Sequence, residues 1–444
     1  MTLRREAESE FGLAADDLRE TWRLLTPEDR LDAFLDLPRP EAEDFFLGLS
    51  ARDQYEMVHA IPPEGRRSWM RLLPPDDAAD LVQEAEEDER AALLALLDEQ
   101  TRREVMALLA YAEDHAGGLM NPRYASVRAD LGVDEAISYL RKQAREHLEH
   151  VYYVYVNDVE QRLVGVVSLR ELFAASSDRT VRDVMSTDLI TARPEQDQEE
   201  LGKLFAEHDL QAIPVVDAEG RMRGIVTVDD IVDVIQEEAT EDIQKIGGTQ
   251  ALDAPYLEVG FRSMFSKRVV WLLVLFVGEL LTATAMGRFE HEIAKAVVLS
   301  VFIPLIISSG GNSGSQTSTL VIRAMALGEV TLADWWRVFL RELGQGVAIG
   351  GVLGLVGMGR VLLWEALFHP YGPHTLELGI TVAASVAGVV MFGTLSGSML
   401  PFILKRVRLD PASASAPFVA TLVDVTGIVI YFTIASLMLR GTLL

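Results

Sequence analysis

The sequence contains no cysteine, which excludes disulfides, thiolate zinc sites, iron–sulfur clusters and a cysteine nucleophile. Histidine is scarce, with eight in 444 residues, and none stands at a spacing from an acid that suggests a catalytic pair. HExxH, GxSxG and the Gly-rich Walker phosphate loop are missing, so the sequence offers no metalloprotease, serine-hydrolase or NTPase chemistry. An enzyme is not expected. The opening MTLRREAESEF has no apolar run behind it, so no signal peptide is expected either.

Basic side chains are also few, 40 against 67 acidic ones. The deficit lies on one side of a composition change near Arg262, where 28 basic and 57 acidic groups precede Ser263 and 12 and 10 follow it. A part carrying a charge of −29 repels nucleic acid and anionic lipid head groups and concentrates cations. No nucleic-acid partner is expected.

What the sequence does have is apolar length. About 20 apolar residues cross a bilayer as a helix, and the C-terminal part holds five such stretches. They run approximately Val269 to Met286, Ile293 to Ile307 with a polar continuation, Leu343 to Leu363, Leu376 to Leu400, and Ala416 to Leu439. With alternating helices, Lys267, Arg268, Arg323, Arg337, Arg341, Lys405, Arg406 and Arg408 fall on one side, and Arg288, Lys295, Arg360 and Arg440 on the other. The positive-inside rule then puts the acidic N-terminal part in the cytoplasm and the C-terminus outside, in a multi-pass protein of the cell (inner) membrane surrounded by lipid.

Two repeats precede the membrane part. Leu25, Leu37, Leu49, Ile61 and Leu73 recur every 12 residues, each followed by Pro or Ser and then acids. These are helix-start signals and predict an all-α superhelical domain of short stacked helices. Farther on, Met120-Asn-Pro and Met185-Ser-Thr open two similar segments that end in strand-turn-strand-helix patterns, with Gly165 and Gly224 offset by 59. They read as two small α/β modules packed as a pair. Glu237 to Lys267 reads as an amphipathic connecting helix.

Two membrane motifs carry chemistry. The run from Pro304 to Thr317 packs Gly310, Gly311 and Gly314 with Asn312 and Gln316 into membrane depth, either to pack helices or to line a wet path. Asp424 lies in an apolar helix with no base nearby in sequence. An acid at bilayer centre costs ~2.5–3.5 kcal/mol, so it serves a function or is hydrogen-bonded to a neighbouring helix. An acid suits a cation path, since an anion path would want Arg or Lys. Glu279 is a second intramembrane acid, fit either for a relay or for a helix contact. Thr421 can bond back to its own helix or face an ion. In the soluble part the acids cluster at Asp76, Asp77 and Asp80; at Asp197, Glu199 and Glu200; at Asp229, Asp230 and Asp233; and at Glu237, Glu238, Glu241 and Asp242. Oxygen ligands without Cys indicate Mg²⁺ or Ca²⁺ if they bind a metal at all.

The runs GGNSGSQ (Gly310 to Gln316), PFVATLVDVTG (Pro417 to Gly427) and AGGLMNP (Ala116 to Pro122) resemble those of the MgtE family of magnesium channels. The resemblance covers essentially the whole chain. It implies a helical domain over residues 1–118, CBS modules over 119–180 and 181–238, a connecting or plug helix over 239–266 and a pore domain over 267–444. It further implies a homodimer with the pore on its two-fold axis and Mg²⁺ as both substrate and regulator. The pore set would be Asp424, Asn312, Gln316, Gly311 and Thr421, with hydrated Mg²⁺ at Asp424. By local motif the sensing sites would be Asp76, Asp80, Asp197, Glu199, Asp209, Asp230, Asp233, Glu238, Glu241, Asp242 and Asp410. CBS modules often bind adenine nucleotides, and the spacing of Thr227 and Asp230 makes ATP a candidate ligand of the second module. Two alternatives stand beside this reading: a divalent cation/H⁺ or Na⁺ exchanger using Glu279, and a CBS-regulated membrane sensor that transports nothing.

Overall fold

The computed structural model describes residues 15–146, 152–252, 254–257 and 259–443. The chain divides into two compact units between Gln236 and Glu237.

Among the described residues the first unit begins with eight short helices: α1 (Ala15–Thr21), α2 (Pro27–Leu35), α3 (Arg39–Leu47), α4 (Ala51–Ala60), α5 (Pro63–Met70), α6 (Pro75–Glu84), α7 (Glu87–Leu94) and α8 (Glu99–Leu108). From α2 onward each begins 12 residues after the last, so the period continues for two turns beyond the Pro-marked ones. Thr26 and Ser50 cap α2 and α4 by accepting from the amides of Asp29 and Asp53 at 3.2 Å. Asp98 does the same for α8, taking Gln100 and Thr101 amides at 3.0 Å. Carboxylates at a helix start also meet the positive end of its dipole, which is why Glu86 and Asp98 can replace Pro as the start signal. Alternate helices pack on one another, α4 on α6 and α6 on α8, around Phe34, Phe45, Phe46, Met70 and Leu81.

A short helix α9 (Ala116–Leu119) leads to the paired modules. The first holds β1 (Ser126–Arg128), α10 (Val133–Glu146), β2 (Tyr153–Asn157), β3 (Leu163–Ser168), α11 (Leu169–Ala174) and α12 (Val181–Val184). Its sheet runs β1-β2-β3, with β1 parallel to β2 and β3 antiparallel to it. The second holds α13 (Gln198–His208), β4 (Ala212–Val216), antiparallel β5 (Met222–Thr227) and α14 (Val228–Ile246). The opening segments are exchanged: the Asn121 amide bonds Ile225 of the second module at 2.7 Å, and the Ser186 amide bonds Val166 of the first at 2.8 Å. The glycine pair follows from this. A methyl at Gly224 would lie 2.8 Å from the Asn121 carbonyl, and one at Gly165 would strike Met185 Sδ at 2.5 Å.

The second unit holds five helices long and apolar enough to cross a membrane, among the described residues. Their regular parts are α15 (Phe261–Arg288), α17 (Ile303–Ala326), α18 (Trp335–Phe368), α19 (Thr375–Arg406) and α20 (Ala416–Met438), with a short α16 (Glu290–Lys295) after the first. The second span thus differs from the sequence expectation. It runs Val297–Ala326, with the Gly/Ser run in its middle, because helical backbone bonds and neighbouring helices satisfy polar groups that look like an interruption. Ile293 falls outside it, in α16.

The expected connecting helix over 239–266 is also different. Residues 239–246 continue α14, which starts directly after β5, and the next helix begins at Phe261. Gly248 ends α14 by adopting φ +75°, a conformation that costs glycine little.

In the membrane unit α17 packs against α19 and α20, α18 lies along α19, and α15 touches α20. No residue of α15 is buried by the rest of the chain.

Candidate functional site

Glycine brings the central helices together. A methyl at Gly314 would lie 2.9 Å from the Gly393 carbonyl of α19, and one at Gly310 would lie 2.9 Å from the Val389 carbonyl. Ser313 Oγ and Thr394 Oγ1 bond across the same contact at 2.8 Å. Helix packing therefore accounts for Gly310, Gly314 and Ser313. Gly311 is buried, and a methyl there would fit against Ala420 of α20 at 3.6 Å. Asn312 and Gln316 are exposed on α17, outside that packed face.

α20 is tied to α17 at its start. Ser318 Oγ donates to the Ala414 carbonyl at 2.7 Å and Ser315 Oγ to the Ala416 carbonyl at 3.0 Å. Farther along, Tyr431 OH donates to the Leu299 carbonyl at 2.8 Å. These bonds hold Asp424 in the middle of a fixed helix, half-buried. Its carboxyl group lies close enough to that of Glu279 on α15 for the two to interact. The neighbouring-helix partner required by a structural reading of Asp424 is thus present, and it is another acid. Thr421, one turn earlier, donates to the Pro417 carbonyl at 3.1 Å, so its hydroxyl bonds back to its own helix. No base pairs with Asp424 among the described residues.

The soluble acids fall into three kinds of place. Asp76 (8% exposed) and Asp77 on α6 meet Asp229 and Asp230 on α14 around a cavity of about 80 Å³, also lined by Asn121, Arg123 and Thr227. Asn121 Nδ2 donates to Asp76 at 3.1 Å, and Thr227 Oγ1 donates to Asp230 at 2.8 Å. Arg123 is engaged by Glu104 at 2.8 Å and Thr101 at 2.8 Å. Burial pushes the Asp230 carboxyl up to about 7, with the charges of Asp229 and Asp77 adding to it and the Thr227 bond opposing it. Asp80, one turn beyond Asp76, is half-buried.

Asp197, Glu199, Asp209 and Asp233 are exposed. Asp197 caps α13 through the Glu199 amide at 2.8 Å, Glu199 pairs with Lys203 at 2.7 Å, and Asp209 closes α13 at φ +50°. Partial burial, and then Asp229, raise the Asp233 carboxyl above the usual range.

The third place is the end of α14. Glu238, Glu241 and Asp242 lie along it, half-buried, and Lys245 one turn on pairs with Glu241 and with Asp410 of the α19–α20 loop, the latter at 2.6 Å. Burial disfavours the Lys245 charge, but hydrogen bonds to Asp410 and Glu241 outweigh it and hold the ammonium well above the ordinary lysine range.

Among the described residues no three His, Asp or Glu side chains gather closely enough to hold a bare metal ion. Sequence reasoning did not assign Asn121, Lys245 or the convergence of Asp77 and Asp229 on Asp76 and Asp230. The only local signals were the junction motif around Asn121 and the four-residue spacing of Glu241 and Lys245.

Comparison with known proteins agrees with this architecture. Residues 303–434 match the MgtE family described as divalent cation transporters, residues 13–114 the MgtE intracellular N domain, and residues 116–178 and 181–237 the CBS domain. The magnesium transporter MgtE of Thermus thermophilus is 42% identical over 76% of this chain and 72% of its own. That of Enterococcus faecalis is 34% identical over 75% and 71%. A crystal structure of the cytosolic domain of the Mg²⁺ channel MgtE in complex with ATP is 41% identical, covering 50% of this chain and 90% of its own, with a TM-score of 0.47. With its helical N-terminal domain, CBS pair and five apolar helices, the chain belongs to the MgtE family of magnesium transporters, a family of membrane proteins and not of enzymes.

Proposed function

We propose that the chain is a Mg²⁺-selective channel for uptake, working as a homodimer in the cell membrane with its N-terminus in the cytoplasm and its C-terminus outside. The observation that carries this is Asp424, a half-buried acid fixed at mid-helix with no basic partner among the described residues. Two such carboxylates on a two-fold axis suit a hydrated Mg²⁺, which gives up water reluctantly and is held by one or two acids. Asn312 and Gln316 line the approach, Gly311 lies against Ala420 of α20, and Thr421 shapes the helix beside Asp424.

Gating follows from the soluble acids. At high cytosolic Mg²⁺, ions shared between Asp76, Asp80, Asp230 and Asp233, between Glu238, Glu241, Asp242 and Asp410, and more loosely at Asp197, Glu199 and Asp209, hold the cytosolic part compact and the pore shut. When Mg²⁺ falls, repulsion among these acids loosens it. The ion favours the closed state only by the amount that it binds that state better.

Flux of Mg²⁺ into proteoliposomes, run beside Asp424→Ala, tests the pore. Conduction by the wild type alone supports it, and equal conduction by both removes Asp424 from the path. The contact between Glu279 and Asp424 favours one second reading, an exchanger coupled to H⁺ or Na⁺, which would require a pH gradient or Na⁺ for flux. Relatives named as magnesium transporters speak against a sensor that transports nothing. ATP binding to the second CBS module, at Thr227 and Asp230, is a further part of the proposal. Titration calorimetry tests it, with absence of heat counting against it.

A further inference from the structure

Lys245 occupies the place between Glu241 and Asp410 where the proposed sensing reading would put a divalent ion. Its ammonium bridges a carboxylate on its own helix and one in the loop between α19 and α20. The surroundings are built rather than incidental. Asp410 is fixed by accepting the Ala412 amide at 2.8 Å, and it begins the turn that leads into α20. Beside Lys245, Ile246 packs with Ile322, Ala412 and Ala414. Gly248 lies so close to the membrane helices that a methyl there would sit 2.9 Å from Trp271 Nε1 and 3.1 Å from Pro417. Gln244 Oε1 accepts the Leu252 amide at 2.7 Å, and Lys267 bonds the Ala251 carbonyl. The end of α14 is thus docked at the root of α20, and a lysine neutralises the acids at that junction.

We propose that Lys245 is a tethered cation that competes with Mg²⁺ for Glu241 and Asp410 and so sets the ion concentration at which the junction tightens. A side chain of charge +1 neutralises half of the pair's charge, whereas Mg²⁺ neutralises all of it. For the ion to bind, the ammonium must swing out to water, which its partly exposed position permits. Without the ammonium the two carboxylates repel each other when no ion is present and take up Mg²⁺ with no competitor. This inference rests on the reading of Glu241 and Asp410 as sensing carboxylates.

Hydrogen exchange of the amides at 241–246, measured on the full chain in lipid nanodiscs over a Mg²⁺ titration, tests it. In Lys245→Met the protection without Mg²⁺ falls, and the Mg²⁺ midpoint moves roughly fivefold lower, as expected for loss of two half-exposed ion pairs. Lys245→Gln behaves the same way and covers the case in which the methionine variant misfolds, while Lys245→Arg keeps the wild-type midpoint. An unchanged or raised midpoint in both neutral variants overturns the proposal. Asp410→Asn separates the two levels. If it alters the midpoint while the Lys245 variants do not, only the role of Lys245 falls. If it leaves the wild-type response intact, the sensing reading falls and the proposal with it.

Discussion

Glu279 on α15 and Asp424 on α20 lie within interaction distance of each other, so two carboxyl groups stand side by side in the membrane unit. If Asp424 supplies the charge for a hydrated ion and Glu279 orients it, the two respond differently to amide substitution. Asp424→Asn keeps size and hydrogen bonding but loses the charge, and Mg²⁺ flux into proteoliposomes falls by about tenfold or more, the usual scale for a lost contact to a charged group. Glu279→Gln can still donate to Asp424 and retains flux to within about threefold, a change of well under 1 kcal/mol. Equal loss in both variants would make Glu279 a pore ligand in its own right.

Asp230 gives a pH dependence with a definite sign. Its carboxyl is raised to about 7 by burial, so the folded state favours the protonated form. That contribution is present in full below the ordinary Asp value near 4 and is lost as pH rises through about 7. Above that pH, in the absence of divalent ions, the charged group destabilises the unit by an amount on the order of a few kcal/mol. Asp230→Asn escapes this cost and still accepts the Thr227 hydroxyl. Urea unfolding of the full chain in detergent without divalent ions, followed by circular dichroism, finds the variant more stable than wild type at pH 8 and similar at pH 4. A variant less stable at pH 8 would contradict this account.

Much of the fold was legible because its signals are local. The 12-residue spacing in the N-terminal helices is a run of helix-start residues, each one Thr, Ser, Asp, Glu or Pro. The module repeat was visible as the offset of Gly165 and Gly224. The exchange of Met120 and Met185 between modules was not, since the glycines show their reason only once the opposite segment lies against them. The same limit applies to the site. Asp424 could be singled out because an acid in an apolar helix is costly wherever it sits. The joining of Asp76 and Asp77 with Asp229 and Asp230 depends on how α6 meets α14, which no local pattern encodes. Gly310 and Gly314 were ambiguous between packing and permeation, and the distances to α19 decide for packing at those two positions while leaving Asn312 and Gln316 exposed.

Asp76 separates sensing from folding. It is nearly buried and accepts from Asn121, so Asp76→Ala leaves a donor unsatisfied and costs about 1–3 kcal/mol. Asp76→Asn keeps an acceptor there and removes only the charge. Limited proteolysis of the soluble region is slowed by Mg²⁺ in the wild type, and in Asp76→Asn the same slowing needs a higher Mg²⁺ concentration. If Mg²⁺ protects neither protein, the sensing role of this cavity is wrong.

The two module glycines are not equivalent, although the repeat makes them look so. An added methyl at Gly165 meets the Met185 side chain first, at 2.5 Å, where a thioether can rotate away, and the Ser186 carbonyl only at 3.1 Å. At Gly224 it meets the Asn121 carbonyl at 2.8 Å, which is backbone held by a bond from Asn121 to Ile225 on the same strand. Relief there requires the exchanged segment to move, and that segment carries the Asn121 side chain to Asp76. Gly224→Ala therefore costs about 1–3 kcal/mol, the range for overpacking, against a smaller loss for Gly165→Ala. It also weakens Mg²⁺ protection of the soluble region, while Gly165→Ala leaves that protection intact. Equal effects from the two substitutions would show that the Asn121 segment yields as easily as a methionine side chain, and would detach the cavity from the module exchange.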